Sequence, residues 1–191
     1  RAQAADVLVE GFRPGVMARL GLGWEVLHAL NPRLVMCSIS GYGQSGAWAQ
    51  RAGHDINYIA MSGVLEQIAT VQGEPALPNF QIGDLMGGAQ AAVSAVLAAL
   101  FAAQRDGQGR HLDVSMTHEL HRHHVLAAVT RAASGRDPEP GRELLSGGAP
   151  CYAVYRCADG RFVAVGALEL KFWQALRRPL GPAQRAALHW S

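Results

Sequence analysis

Four of the eight histidines stand close together in the chain and could bind a metal ion: His118, His121, His123 and His124. His118 and His121 would share one face of a helix, because their spacing is i,i+3. Structural and catalytic zinc sites add cysteine or carboxylate ligands at characteristic spacings, and here only Glu119 is near. The pattern therefore predicts no metal site.

Two further residues, His54 and Asp84, each follow a glycine and stand at the start of a predicted helix. A histidine titrates near neutral pH and can carry a proton. An aspartate ahead of a helix commonly accepts hydrogen bonds from the first N–H groups of that helix. Taken alone, a histidine is more often structural than catalytic and such an aspartate is more often a cap. Residue type and spacing therefore do not assign either one a catalytic role.

The composition excludes several classes of protein. Apolar residues make up 49% of the chain and charged residues 17%, with a formal net charge of +2, which is typical of globular proteins. No cationic face for nucleic acid is expected. Three cysteines without metal-ligand spacing indicate a reduced, intracellular protein, and residues 1–5 do not resemble a signal peptide, so a cytoplasmic location is expected.

No membrane association is expected from the apolar segments. The longest of them, residues 91–103, is rich in alanine and falls short of the roughly 20 residues that span a bilayer. We expect this segment to form a buried helix.

Alternation of short apolar runs with helical periodicity predicts an α/β fold. We expect Asp55 and Asp84 to cap helices over 56–66 and 85–105, and a β-hairpin around Ala158–Gly160. The segment Ser134–Gly141 contains two prolines and two glycines and is a linker candidate. The other predicted elements are strands over 6–10, 34–39 and 111–115, and helices over 14–20, 24–30 and 116–132.

Five stretches, in this order and spacing, resemble the α-methylacyl-CoA racemase branch of the family III CoA-transferase superfamily. They are Ala5–Met17; Asn31–Leu34 with Ser40–Gly46; Ala52–Tyr58 with Ser62–Val64; Gly83–Asp84 with Gly87–Gly88; and Gly147–Pro150 with Ala164–Glu169. The resemblance extends to about Leu176 and is not expected over residues 177–191.

The resemblance implies an incomplete Rossmann-like large domain with the start of a smaller α/β domain. Its central part would cover residues 1–133, a linker 134–149 and the small domain 150–191. Family members begin before this chain and continue beyond it, so the chain is expected to be truncated at both ends. Full-length members form interlocked homodimers.

The implied reaction inverts the carbon next to a coenzyme A thioester. Such an inversion needs a base on one face of the carbon and an acid on the other. By resemblance His54 and Asp84 are these two proton carriers, and Glu169 is a carboxylate that pairs with His54. A glutamate that interacts with the dipole of the following helix is the alternative for Glu169. No cofactor is implied, because coenzyme A is part of the substrate.

Three other residues lie in the same motifs. Arg13 falls in the motif that the family uses near coenzyme A and could bind a phosphate, although a surface arginine is the alternative. Asp55 and Tyr58 could support substrate binding through hydrogen bonds, whereas a helix cap and a packed tyrosine explain them equally well. One departure from the family follows Thr117, where His118-Glu119 replaces the usual acidic residue and glycine.

Two other functions are consistent with the same residues. A CoA-transferase would use Asp84 as a nucleophile that carries the acyl group as a mixed anhydride. His54 favours the racemase, since a transferase has no need of a second proton carrier. The third possibility is an inactive remnant. None of the motifs identifies the acyl chain, which could be a bile-acid precursor or a branched fatty acid of lipid and fatty acid metabolism, or a drug-like arylpropionate.

Overall fold

The computed structural model of the chain describes residues 2–70 and 72–181. These residues form two compact units, one made of the chain up to Leu65 together with Leu77–Leu126, the other of Glu66–Ala76 together with the chain from Ala127 onward. The strands are β1 (Val7–Glu10), β2 (Val35–Ser40), β3 (Arg110–Ser115), β4 (Tyr152–Arg156) and β5 (Phe162–Gly166). The helices are α1 (Val16–Arg19), α2 (Trp24–Leu30), α3 (Asp55–Met61), α4 (Val64–Gln67), α5 (Ala91–Asp106), α6 (Met116–Arg122), α7 (Val125–Ser134) and α8 (Leu170–Arg177).

A three-stranded parallel sheet in the order β1-β2-β3 organises the first unit. Val35 pairs with Val7 on one side and with Arg110 on the other. Parallel neighbours require a crossover, which α1 and α2 supply between the first two strands. The predicted α/β class with a parallel sheet is therefore confirmed.

The central strand β2 is buried on both faces. Met36 packs with Leu27 and Leu34 on the face that α2 covers, and Cys37 packs with Ala92 and Val114 on the face that α5 covers. Successive side chains of a strand point to opposite faces, so a strand between two helical layers must be apolar throughout. This explains why the continuous apolar run around residues 34–39 correctly indicated a strand.

The alanine-rich helix is longer and more exposed than its composition suggested. A π-helical segment, Gly83–Gln90, continues without a break into α5. Ala92, Ala99 and Ala103 are buried, but Val93, Leu97 and Phe101 on another face are 54%, 61% and 63% exposed. The expectation of a buried helix is therefore wrong for this face.

The combined helix Gly83–Asp106 has 24 residues. By length and composition it is the one helix within the described ranges that could cross a membrane, and core helices of soluble proteins satisfy the same criterion. The absence of a membrane partner stays a prediction.

Two predicted helices are each divided in the structure. The helix expected over residues 56–66 ends at Met61, and α4 begins three residues later. Gly63 lies between them with a φ of +85°, a conformation that favours glycine. The helix expected over 116–132 is likewise interrupted after Arg122. Since a Cβ atom on Gly63 would lie 3.0 Å from Cε1 of His124, the two interruptions pack against each other.

The second unit contains an antiparallel hairpin of β4 and β5, which confirms the predicted turn around Asp159. Its core is formed by Cys151 and Trp173, with Ala149 and Ala167 beside them. Trp173 lies on α8, whose first residue follows Glu169. The predicted linker over 134–149 and the domain boundaries stay predictions.

The contact between the π-helical segment and α6 yields a test of stability. A Cβ atom on Gly87 would lie 2.6 Å from the backbone oxygen of Met116, whereas one on Gly88 would meet the flexible Met116 side chain at 3.2 Å. We expect Gly87→Ala to lower the unfolding free energy by about 1–3 kcal/mol, because backbone cannot move aside easily. Gly88→Ala, the matched control, should change it by less than about 1 kcal/mol, since methionine adapts. Denaturant unfolding measures both, and equal stability of the two variants would contradict this packing.

Candidate active site

His54 is the residue that precedes α3, and its backbone is held from two sides. The His54 N–H donates to Oδ1 of Asn57 at 3.0 Å, which fixes the entry into the helix. Behind it, a Cβ atom on Gly53 would lie 2.7 Å from the ring of Tyr58 and 2.8 Å from the hydroxyl of Tyr42. Glycine is therefore required before His54, and the imidazole projects from a rigid segment.

Tyr58 holds this segment in place. Its hydroxyl donates to the Gly53 carbonyl at 2.6 Å, and its ring packs edge-on against Tyr42 at a centroid distance of 5.4 Å. Burial raises the pKa of Tyr58, and the charges of Tyr42, Asp84 and Asp55 raise it further. Tyr58 consequently stays protonated and acts on the backbone beside His54. Its predicted role in substrate binding stays a prediction.

Asp84 and Asp55 come together although 29 residues separate them. The Asp84 N–H donates to Oδ1 of Asp55 at 2.9 Å. Gly83 allows this contact, because a Cβ atom there would lie 2.8 Å from the same oxygen. The Asp55 carboxylate thus joins the start of the π-helical segment to the start of α3.

The expectation that Asp55 and Asp84 cap their own helices is wrong. His54 occupies the position before α3, and Ile82 occupies the position before the π-helical segment, so both aspartates lie inside the first turn. The Asp55 carboxylate accepts from another helix instead. A local pattern could not reveal this, because the partner N–H comes from a distant part of the chain.

The surroundings of Asp84 change its acidity. Burial raises the pKa of Asp84, the negative charge of Asp55 raises it further, and His54 partly opposes both effects. The three groups therefore interact electrostatically, and Asp84 takes up a proton at higher pH than an ordinary aspartate does. Such a carboxyl group is suited to alternate between acid and base.

A cavity of about 290 Å³ lies at the carboxyl ends of β1 and β2 and contacts His54. Ligands of parallel sheets commonly bind at this end of the strands. Two of the other predicted site residues, Arg13 and Tyr58, also line the cavity, whereas Asp55 and Asp84 do not. Arg51, which no sequence motif indicated, lines it as well. The sequence feature that could have indicated Arg51 is its position three residues before His54.

Glu169 belongs to the second unit, where it is the exposed residue that precedes α8. Its side chain makes no hydrogen bond to the start of that helix. Its pairing with His54, a residue of the first unit, stays a prediction.

The histidine cluster has structural contacts. His121 Nδ1 lies 3.2 Å from the Ser62 carbonyl, and the His124 ring lies beside Gly63. Over residues 2–70 and 72–181, no group of three or more histidine, cysteine, aspartate or glutamate side chains could hold a metal ion. These two histidines contribute to the contact between α6 and the turn after α3.

The sequence matches the model of CoA-transferase family III over residues 2–189. The match includes residues 177–189, so the expectation that the resemblance ends near Leu176 is wrong. The chain is 42% identical over 177 residues to α-methylacyl-CoA racemase from Homo sapiens, a match that covers 93% of this chain and 46% of the human protein. It is 39% identical over 114 residues to succinate–glutarate CoA-transferase from Agrobacterium fabrum, which covers 60% of this chain and 28% of the relative.

Among solved structures, a CAIB/BAIF family protein from Brucella suis superimposes with a TM-score of 0.75 at 28% sequence identity. The superposition covers 98% of this chain and 53% of the Brucella chain. The chain thus spans about half the length of the racemase and of the solved structure that it matches.

Proposed function

Because the chain belongs to CoA-transferase family III, we propose that it inverts the α-carbon of 2-methylacyl-CoA thioesters by proton transfer through an enolate. The 42% identity to the human racemase over 93% of the chain supports this reaction. The substrate class would place the protein in the metabolism of branched acyl chains. The homodimer and the cytoplasmic location stay predictions.

In the proposed reaction one carrier removes the α-hydrogen as a proton, and the electron pair of the C–H bond moves toward the thioester oxygen. The conjugate acid of the other carrier then donates a proton to the opposite face, and the carbonyl re-forms. Electrons and protons balance without an oxidant or a cofactor. His54 and Asp84 are the two carriers, each acting as base for one enantiomer and as acid for the other.

The observation that carries this proposal is the coupling of His54 to Asp84. The two residues stand at the starts of separate helices, these starts are joined by the hydrogen bond from the Asp84 N–H to Asp55, and the charge of His54 lowers the pKa of Asp84. Two proton carriers in different environments suit a reaction that needs an acid and a base at once.

A CoA-transferase is the second candidate, favoured by the similarity to the Agrobacterium enzyme. Asp84 would then attack the thioester carbonyl, form a mixed anhydride and release the coenzyme A thiolate. This reaction gives His54 no role as a proton carrier. The racemase explains both residues and is preferred for that reason.

Deuterium incorporation distinguishes the candidates. The chain, alone and completed at both ends with the corresponding segments of a full-length relative, is incubated in deuterated water with one enantiomer of a 2-methylacyl-CoA. A racemase is expected to produce the other enantiomer and to introduce deuterium at the α-carbon, which mass spectrometry detects. A transferase would instead move coenzyme A to an added carboxylate and leave an acyl adduct on Asp84 that hydroxylamine captures. An inactive remnant would do neither.

A further inference from the structure

The peptide unit between Gly53 and His54 is held at both of its polar ends. The Gly53 carbonyl accepts from the Tyr58 hydroxyl at 2.6 Å, and the His54 N–H donates to Oδ1 of Asn57 at 3.0 Å. Both side chains come from the first turn of α3, shortly after His54. Because a peptide unit is planar, two hydrogen bonds at its opposite ends fix the orientation of the whole plane.

This orientation determines where the imidazole of His54 lies. The backbone of His54 is extended, with a φ of −128° and a ψ of 176°. Its φ is the rotation about the bond that joins the held peptide unit to the Cα atom, so a rotation of the plane moves the Cβ atom and the ring with it. On the other side, the His54 carbonyl accepts from the Asn57 N–H at 2.8 Å. The side chain of His54 therefore starts from a fixed point of the backbone.

Tyr58 is itself confined by its surroundings. The residue is only 8% exposed. Its ring lies between two glycines, since a Cβ atom on Gly41 would overlap the ring and a Cβ atom on Gly53 would lie 2.7 Å from it. Gly41 directly follows β2. The ring thus joins the loop after the central strand to the segment before α3, and it places His54 relative to the sheet.

We propose that Tyr58 is a positioning residue for proton transfer at His54, and that it acts through the Gly53–His54 peptide. The inference rests on the proposed function, the inversion of an α-carbon. The single proton of the Tyr58 hydroxyl is donated to the Gly53 carbonyl, so Tyr58 has no further hydrogen to donate to a substrate. Proton transfer needs the base within hydrogen-bond reach of the proton that it removes, so a displaced imidazole lowers the rate.

The test compares Tyr58→Phe with Tyr155→Phe, a matched control. Tyr155 also donates its hydroxyl to a carbonyl five residues earlier, that of Pro150, at 2.7 Å. It lies on β4 in the second unit and does not line the cavity beside His54. Each substitution removes one hydroxyl and keeps the ring, so both variants should lose similar stability in thermal unfolding. A difference in activity then reflects the place of the lost hydrogen bond.

Two quantities are measured on the chain, alone and completed at both ends. Steady-state kinetics give kcat and KM for inversion of a 2-methylacyl-CoA, and NMR gives the hydrogen-exchange rate of the His54 amide. Tyr58→Phe is expected to lower kcat by about ten- to a hundredfold and to change KM by less than about twofold, because the base is displaced whereas contacts to the substrate remain. The His54 amide should exchange about tenfold faster, since the peptide opens more easily. Tyr155→Phe should resemble the parent chain in all three values.

A second variant acts on the other end of the same peptide. Asn57→Ala removes the acceptor of the His54 N–H and should also lower kcat. Because both hydrogen bonds hold one peptide unit, Tyr58→Phe combined with Asn57→Ala should lose less than the product of the two single losses. Tyr155→Phe combined with Asn57→Ala should have the kcat of Asn57→Ala.

The positioning role would be overturned if kcat and the His54 exchange rate were the same in Tyr58→Phe and Tyr155→Phe. A raised KM with an unchanged kcat would overturn it as well, since Tyr58 would then contact the substrate. Absence of α-proton exchange in the completed parent chain would overturn the proposed function alone. The exchange rate of the His54 amide would then decide whether Tyr58 fixes the peptide.

Discussion

Replacement of His54 by alanine is expected to lower the rate of α-carbon inversion by about 10²–10⁴-fold, the range typical of a lost general acid–base group. The substitution removes one of two proton carriers, so a proton can still leave to Asp84 but cannot be delivered efficiently to the opposite face. Inversion is followed by chiral separation of the product, and exchange by deuterium incorporation at the α-carbon. Inversion should fall more than exchange.

His118→Ala is the matched control. His118 is also exposed and lies in the same unit, on α6, but it does not line the cavity beside His54. We expect its inversion rate to equal that of the parent chain. If His54→Ala inverted the substrate as fast as His118→Ala, the assignment of two carriers would be wrong.

Replacement of Asp84 by asparagine should lower inversion by a similar factor of about 10²–10⁴. The side chain keeps its size, and the backbone N–H that donates to Asp55 remains. The loss would therefore reflect the proton carrier and not the packing of the two helices. In a transferase, hydroxylamine would capture an acyl adduct from the parent chain but not from Asp84→Asn. Capture from the parent chain therefore distinguishes a nucleophilic Asp84 from an Asp84 that carries a proton.

Replacement of Asp55 by asparagine should change the pH dependence of the inversion rate. Asparagine keeps an oxygen that can accept from the Asp84 N–H, but it removes a negative charge that raises the pKa of Asp84. The pKa of Asp84 should therefore fall. Because activity that needs ionised Asp84 is lost as pH drops through this pKa, the acid limb of the rate profile should move to lower pH. A limb that stayed in place would show that Asp84 does not determine it.

Several elements could be predicted from the sequence because their causes are local. The apolar run around Met36 indicated a buried strand, and Gly107, with a φ of +73°, ends α5 where a helix break was expected. The hairpin around Asp159 was likewise found from its turn residues. In each case, residues within a few positions of one another determine the backbone conformation.

The catalytic assignment of His54 and Asp84 came from motifs and not from geometry. The tertiary structure added how they are coupled: the Asp55 carboxylate binds an N–H that is 29 residues away, in place of the cap that its position suggested. Arg51 was missed for the same reason, since its place beside Arg13, 38 positions earlier, in the cavity wall depends on packing that includes the hydrogen bond from Gln50 to the Pro14 carbonyl.

The sequence by itself determined the strands, most of the helices and the family, because apolar periodicity, turn residues and motif order are properties of neighbouring residues. The two proton carriers stay a prediction from the resemblance. Only the tertiary structure decided which polar groups meet and which apolar faces remain exposed, such as Val93 and Leu97 on α5. The physical reason is that a hydrogen bond or a buried contact between distant segments depends on how helices pack on the sheet. That packing brings together groups that are far apart in the chain, and the number of residues between two groups does not indicate their distance in space.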